Sequence, residues 1–182
     1  MSMLMFTMAL SPSGCCWPFR ERTNTRAVYV VDALSPCAAG SSVQPPAPAA
    51  RLAADTVEWC IDHAPNWSPM TVCVNHINAG GAGSTKGTAI ALANAIYYIE
   101  LLLARGRSID EIAPLLHMFP DERHDFFVTV ANLRALRRVW ARMMKERYGA
   151  SSTAAMALQT TVYGHGQEAL PEPLNNITRT AF

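Results

Sequence analysis

The stretch that decides the fold is MTVCVNHINAGGAGSTKGT, Met70 to Thr88. Met70–Val74 is a short apolar, β-prone run and reads as a buried strand. Gly80, Gly81 and Gly83 follow, and a largely apolar run opens near Ser84. The pattern is a strand, a tight glycine turn and a helix, with His76 at the strand end. A phosphate loop needs a spaced glycine directly before Lys-Ser/Thr, so that backbone amides wrap the phosphates. Here the order is Thr85-Lys86-Gly87-Thr88, and G-x-G-x-x-G is absent as well. The glycines therefore read as turn formers that let backbones approach closely. His76 has no neighbour at metal-ligand spacing. It reads as a plain loop histidine or as a donor that polarises a carbonyl.

Working outward, Leu52, Ala53, Val57, Cys60 and Ile61 recur at helical spacing and predict a helix over Ala49–His63. A second helix is expected over Ser84–Arg105, apolar nearly all round (Ile90, Leu92, Ile96, Ile99, Leu102, Leu103) and so buried on most faces. Its apolar stretch, Thr88–Ala104, contains Asn94 and is read as a core helix rather than a membrane span. Ser108-Ile-Asp-Glu111 is a capping box opening a short helix that stops at Pro114. Leu115–Phe119 is the next strand. A long helix runs from Asp121-Glu-Arg-His to Tyr148, with Phe126, Phe127, Val130, Leu133, Leu136, Val139, Trp140 and Met143 as core positions and Gly149 as its stop. Ala154–Thr161 is read as a strand, and a last helix starts near Asn175. A short strand is expected at Ala27–Val31.

Helices and strands thus alternate, which predicts a parallel sheet in an α/β fold, either open or an arc of a barrel. In such folds ligands gather at the C-terminal ends of strands. His76, His117 and the loop from Thr160 to Gly166, which holds His165, are expected at or just after those ends.

Composition narrows the function classes. Of 182 residues half are apolar and 16% charged, so a folded chain is expected, and the net charge of +1 points to neither nucleic acid nor membrane surface. The five cysteines lack any C-x-x-C pair, so reduced thiols in a cytoplasm are expected. The apolar start MSMLMFTMAL carries no preceding positive charge and is not read as a signal peptide. Residues 1–44 are expected to be an irregular segment, with Ser35–Ala50 rich in Pro, Ala, Ser and Gly. The ordered domain is expected over 45–182. Arg134, Arg137, Arg138, Arg142, Lys145 and Arg147 read as a phosphate or RNA patch, or as a solvated helix face whose late charges suit the C-terminus. The apolar stripe on the same helix favours the second reading.

From Pro45 onward the chain resembles the substrate-binding barrel of the adenosylcobalamin-dependent acyl-CoA mutases, the methylmalonyl-CoA mutase family. The segments that carry the resemblance are PPAP, the strand leading to His76, ALANAIYYIELLLARGRSIDEIAPLL, HDFFVTVANLRALRRVWARMMKERYGA and PLNNITRTAF. The resemblance implies part of a (β/α)8 barrel, whose complete form takes about 250 residues. No Asp-x-His-x-x-Gly motif of the flavodoxin-like cobalamin domain occurs in the sequence. It implies carbon-skeleton isomerisation of an acyl-CoA by a radical 1,2-shift of the thioester group, with adenosylcobalamin held mainly by that other domain. Implied partners are the acyl-CoA and other mutase chains or a cobalamin-binding subunit. Alternatively the chain is a non-catalytic mutase piece or a module that binds CoA or a partner.

His76 matches the family histidine that donates to the thioester carbonyl, and Asn75, His117 and Phe119 fall at substrate-contacting positions. The chain also departs from the family. Asn75 stands where tyrosine is usual, and Asn78-Ala79-Gly80-Gly81 replaces a motif whose glutamate faces the corrin. Ala39-Gly40-Ser41 replaces Arg-Asn-Thr, and Leu115-Leu116-His117-Met118-Phe119 replaces Arg-Leu-Ser-Phe-Phe. The family's Gln-Thr-x-Gly aligns with Gln159-Thr160 or with Val162-Tyr163.

Overall fold

The computed structural model describes residues 27–28, 45–122, 126–161 and 163–164, without the side chains of 27–28, 79, 121–122 and 163–164. The expected helix near Asn175, His165 and Ala39–Ser41 lie outside the described residues.

The chain is α/β with parallel strands. Strand β1 (Ala27–Val28) precedes helix α1 (Pro46–His63). Strands β2 (Trp67–Ser68) and β3 (Met70–Cys73) follow, then α2 (Val74–Ala79), α3 (Ser84–Ala104) and α4 (Ile109–Ile112). A 3₁₀ turn (Ala113–Leu115) leads into β4 (Leu116–Phe119) and β5 (Asp121–Glu122). Helix α5 (Phe126–Arg142) ends in a π turn (Met143–Arg147), and α6 (Thr153–Met156), β6 (Gln159–Thr160) and β7 (Tyr163–Gly164) complete the described chain.

Every strand pairing is parallel: β1 with β2, β3 with β4, β4 with β6, and β5 with β7. Only Pro69 separates β2 from β3, and only Pro120 separates β4 from β5. Proline has no N–H to give a ladder, so each break is local and the flanking strands continue one another. Four successive stretches therefore lie side by side in chain order. β1 adds a stretch before the three units expected from the sequence; it falls within the predicted Ala27–Val31, of which 29–31 lie outside the described residues.

Register fixes which side chains share a face. Met70 pairs with Leu116, Thr71 with His117, Val72 with Met118 and Cys73 with Phe119. Met70, Val72, Leu116 and Met118 point to the helices and join Val57, Tyr98, Ile99, Leu102 and Trp140 in one apolar core. Thr71, Cys73 and His117 point to the opposite face and are also buried. Cys60 and Cys73 are buried thiols outside any disulfide.

Helix α1 starts three residues earlier than expected because Pro46, at the first helical position, already has the required φ. Its buried stripe is mostly alanine (Ala49, Ala50, Ala53, Ala54), which allows close approach to α3. Leu52 faces outward instead. Arg105 donates to Asp55 at 2.6 Å and Glu58 at 2.9 Å, and Arg107 grips Asp62 with both of its terminal nitrogens. These ion pairs tie the C-terminal end of α3 to α1.

Helix α3 is 21 residues, long and apolar enough to cross a bilayer by length and composition alone. It is not buried on most faces as predicted. One stripe (Ala91, Ala95, Tyr98, Ile99, Leu102) is buried, while Ile90 and Tyr97 are exposed. Helix α5 departs further: Leu136 and Trp140 are buried, as is Met144 in the π turn, whereas Phe126, Phe127, Val130 and Val139 are exposed. Only one side of α5 meets the sheet and α3, so apolar character alone overstated its core. Trp140 Nε1 donates to Ala155 O at 3.1 Å.

Three further boundaries differ. The predicted strand Ala154–Thr161 is α6 followed by β6, because Ser152 Oγ accepts from Ala155 N at 3.1 Å and caps a helical turn. Leu115 closes the 3₁₀ turn rather than opening β4. The expected helix to Tyr148 loses α geometry after Arg142. The capping box holds, with Ser108 N and Oγ donating to Glu111 at 2.9 and 2.6 Å. Gly149, at φ 68°, ends the helix as expected.

Candidate functional site

The C-terminal ends of β3 and β4 lie side by side, since Cys73 and Phe119 are register partners. Thr161 N donates to Met118 O at 3.3 Å and brings the end of β6 alongside. Helix α2 begins at the first residue after β3, so it sits over this edge and packs on β4 and β5. The strand thus ends one residue earlier than predicted, and His76 stands on a helix rather than in a loop.

Helical spacing sorts the residues of α2. Val74, Ile77 and Asn78, at i, i+3 and i+4, are buried. Asn75 and His76 lie off that stripe; Asn75 is half-buried and His76 exposed. The His76 ring is therefore open to solvent. Asn75 Oδ1 is buried without a partner among the described residues.

The glycines join α2 to α3, a helix-to-helix connection rather than the expected strand-to-helix turn. Gly81 and Gly83 take φ of 93° and 76°, a region that side chains with a Cβ rarely adopt. Gly87 has a different task. A Cβ there would meet Asn78 Oδ1 at 1.8 Å, so the bare backbone of α3 admits the Asn78 amide. Both polar atoms of that amide are buried without a partner among the described residues. The segment that resembled a phosphate loop is thus a packing joint that seats α2 on the strand ends, and Lys86 points to solvent.

His117 does not lie at a strand end as expected; it is the second residue of β4 and is 3% exposed. Its Nε2 lies 3.0 Å from Thr161 Oγ1. Burial holds its pKa below the ordinary imidazole range, so the ring is neutral near pH 7. The other nitrogen, Nδ1, is buried without a partner among the described residues. A neutral imidazole has one donor and one acceptor nitrogen, so this ring keeps one free position on the polar face of the sheet. Thr161 was not singled out from the sequence. Forty-four positions separate it from His117, and only the β4–β6 register brings them together. Phe119 is half-buried at the end of β4. Among the described residues no three His, Cys, Asp or Glu side chains form a metal-binding group.

The family model for methylmalonyl-CoA mutase matches residues 23–182. The 2-hydroxyisobutanoyl-CoA mutase large subunit of Aquincola tertiaricarbonis is 33% identical over 145 residues, 77% of this chain and 25% of that protein. The methylmalonyl-CoA mutase of Escherichia coli (strain K12) is 32% identical over 141 residues, 77% of this chain and 20% of that protein. The mitochondrial human methylmalonyl-CoA mutase is 30% identical over 139 residues, 76% of this chain and 18% of that protein. The matched segment therefore spans a quarter or less of each of these relatives. With a family match over most of its length, the chain belongs to the methylmalonyl-CoA mutase family.

Proposed function

We propose that this chain forms the acyl-CoA-binding part of a mutase barrel and that His76 donates a hydrogen bond to the thioester carbonyl oxygen. The observation that carries this reading is the exposed His76 ring on α2, above the C-terminal ends of parallel strands. A fixed N–H there polarises the carbonyl, holds the acyl group in one orientation and favours charge that develops on oxygen. Asn75 borders the same bound group. On the polar face of the sheet, His117 underlies the bound group, and Phe119 packs against its apolar part. The domain runs over 45–182, with β1 added at its edge, and its four sequential parallel stretches form an arc of a (β/α)8 barrel.

In this family adenosylcobalamin supplies the radical for the 1,2-shift of the thioester group. The described residues do not fit the corrin. Ala79 stands where the family glutamate faces the ring, so the polar contact that residue would make is missing. The role of this segment is therefore to bind and orient substrate and to exclude water. The cofactor and the remaining strands come from other polypeptide, whether continuous with this chain or in partner subunits. The setting is the cytoplasm, with no nucleic-acid or membrane partner. The same absence of a carboxylate favours a second reading, a CoA-binding module without turnover.

Calorimetry with a non-reactive acyl-CoA tests the binding. Saturable binding that weakens about tenfold in His76→Ala and recovers partly in His76→Gln is expected, about 1.4 kcal/mol for one hydrogen bond. Equal affinity in all three proteins would remove His76 from the site. Turnover on adding a cobalamin-binding subunit separates the mutase from the binding module.

A further inference from the structure

Four arginines of this chain are matched by its own carboxylates. Arg105 takes Asp55 and Glu58, Arg107 takes Asp62, Arg142 takes Glu146 and Arg147 takes Glu100. Arg134, Arg137 and Arg138 have no carboxylate partner among the described residues, and all three are exposed. The other described carboxylates are occupied as well: Asp110 accepts from Ser151 and Ser152, and Glu111 from Ser108. Arg51 on α1 also lacks a carboxylate partner among the described residues, but it stands alone, whereas the other three guanidinium groups cluster on α5.

They stand around a groove of ≈ 720 Å³ on α5, beside the segment that enters β6. Ala141, Met156 and Leu158 give it an apolar lining. Spacing places the groove on the helix. Asn132 donates to Thr88 on α3 at 2.9 Å and Leu136 and Trp140 face the core. Arg134, Arg137, Arg138 and Ala141 follow i, i+3, i+4, i+7 on the side away from α3. Phe127, 81% exposed, and Val130 extend the same stripe toward the start of α5. From Phe127 to Ala141 the stripe is about 21 Å long at 1.5 Å per residue, roughly four helical turns.

We propose that this stripe is the docking seat for a helix of a partner polypeptide, amphipathic, with an apolar ridge flanked by Asp or Glu. The apolar lining takes the ridge and the three arginines take the carboxylates. Phosphate-rich ligands would satisfy the arginines but leave Phe127, Val130, Met156 and Leu158 uncovered. A second copy of this chain offers no unengaged carboxylate among the described residues. The seat lies beside the start of β6, at the opposite strand ends from His76, and the inference does not depend on the acyl-CoA reading.

The test uses the full chain and a fluorescent peptide of about 15 residues, a Leu ridge flanked by Glu at helical spacing. A composition-matched scramble and a single-stranded RNA oligomer are the competitors. Anisotropy at low salt is expected to show saturable peptide binding, weakened about tenfold or more in Arg134→Glu/Arg138→Glu. Ala141→Phe, which fills the groove without changing charge, is expected to lose as much, while Arg142→Gln binds as wild type. Circular dichroism and Tm confirm that each variant folds. Equal affinity for the scramble, tighter binding of the RNA, or a concentration-dependent dimer abolished by Arg134→Glu/Arg138→Glu would each overturn the proposal.

Discussion

The two faces of the β3–β4 pair differ residue by residue. On the helix side Met70, Val72, Leu116 and Met118 join the apolar core. On the other side Thr71, Cys73 and His117 are equally buried, yet the His117 ring leaves a nitrogen without a partner among the described residues. Period-two alternation along the strands assigns stability to one face and leaves a polar lining on the other. Neighbours in sequence therefore serve different ends.

The largest expected effect sharpens the first half of that contrast. Trp140 is fully buried and its Nε1 bonds Ala155 O. Trp140→Ala is expected to cost about 3–5 kcal/mol in urea unfolding. Met118→Ala, on the strand beside His117, is expected to cost about 2–5 kcal/mol by the same measurement. His117→Leu is the paired control. It removes the Nε2–Thr161 bond but also a buried Nδ1 that has no partner among the described residues, and the two partly offset, so stability is expected to stay within about 1 kcal/mol while acyl-CoA affinity falls. A Met118→Ala protein as stable as wild type, or a His117→Leu protein that unfolds, would erase the distinction.

The joint beneath His76 comes next. Gly87→Ala forces a Cβ against the Asn78 amide and is expected to cost about 1–3 kcal/mol. Asn78→Ala in the same chain is expected to relieve most of that cost, a coupling that a double-mutant cycle reads directly. Additive losses would mean that the two residues do not share the space.

Two pH effects follow. The depressed His117 pKa contributes stability that is present above about pH 6.5 and is lost as pH falls from there through the folded value. Asp110, hydrogen-bonded by Ser151 and Ser152, is held at about 2, so its contribution is present above about pH 4 and lost as pH falls toward 2. His117→Leu is expected to flatten the stability profile below pH 6.5, and Asp110→Asn to flatten it below pH 4. The smallest effect is at the exposed Arg142–Glu146 pair, where Arg142→Ala is expected to change stability by about 0.5 kcal/mol or less.

Much of the fold was legible in the sequence because its signals are local. The strand–helix alternation, the capping box at Ser108 and the Gly149 stop each depend on a few adjacent residues. The misread positions depend on partners far along the chain. Whether Phe127 or Trp140 is buried depends on which side of α5 meets the sheet and α3, and apolar spacing does not say. The Ser152 cap looked like the start of a strand because Ala154–Leu158 is apolar throughout. At the candidate site, the sequence singled out His76 and His117, but the Asn78–Gly87 contact and the His117–Thr161 bond form only once α2 packs on α3 and β6 pairs with β4.

The central claim is that the polar side and the strand ends serve the acyl-CoA, with His76 on its carbonyl. Infrared difference spectra of a non-reactive acyl-CoA labelled with ¹³C at the thioester carbonyl test this directly. The carbonyl band is expected to move to lower frequency on binding to the wild-type chain and to return toward its free position in His76→Ala while His117→Leu keeps the shift. A band unmoved on binding, or moved equally with and without His76, would contradict it.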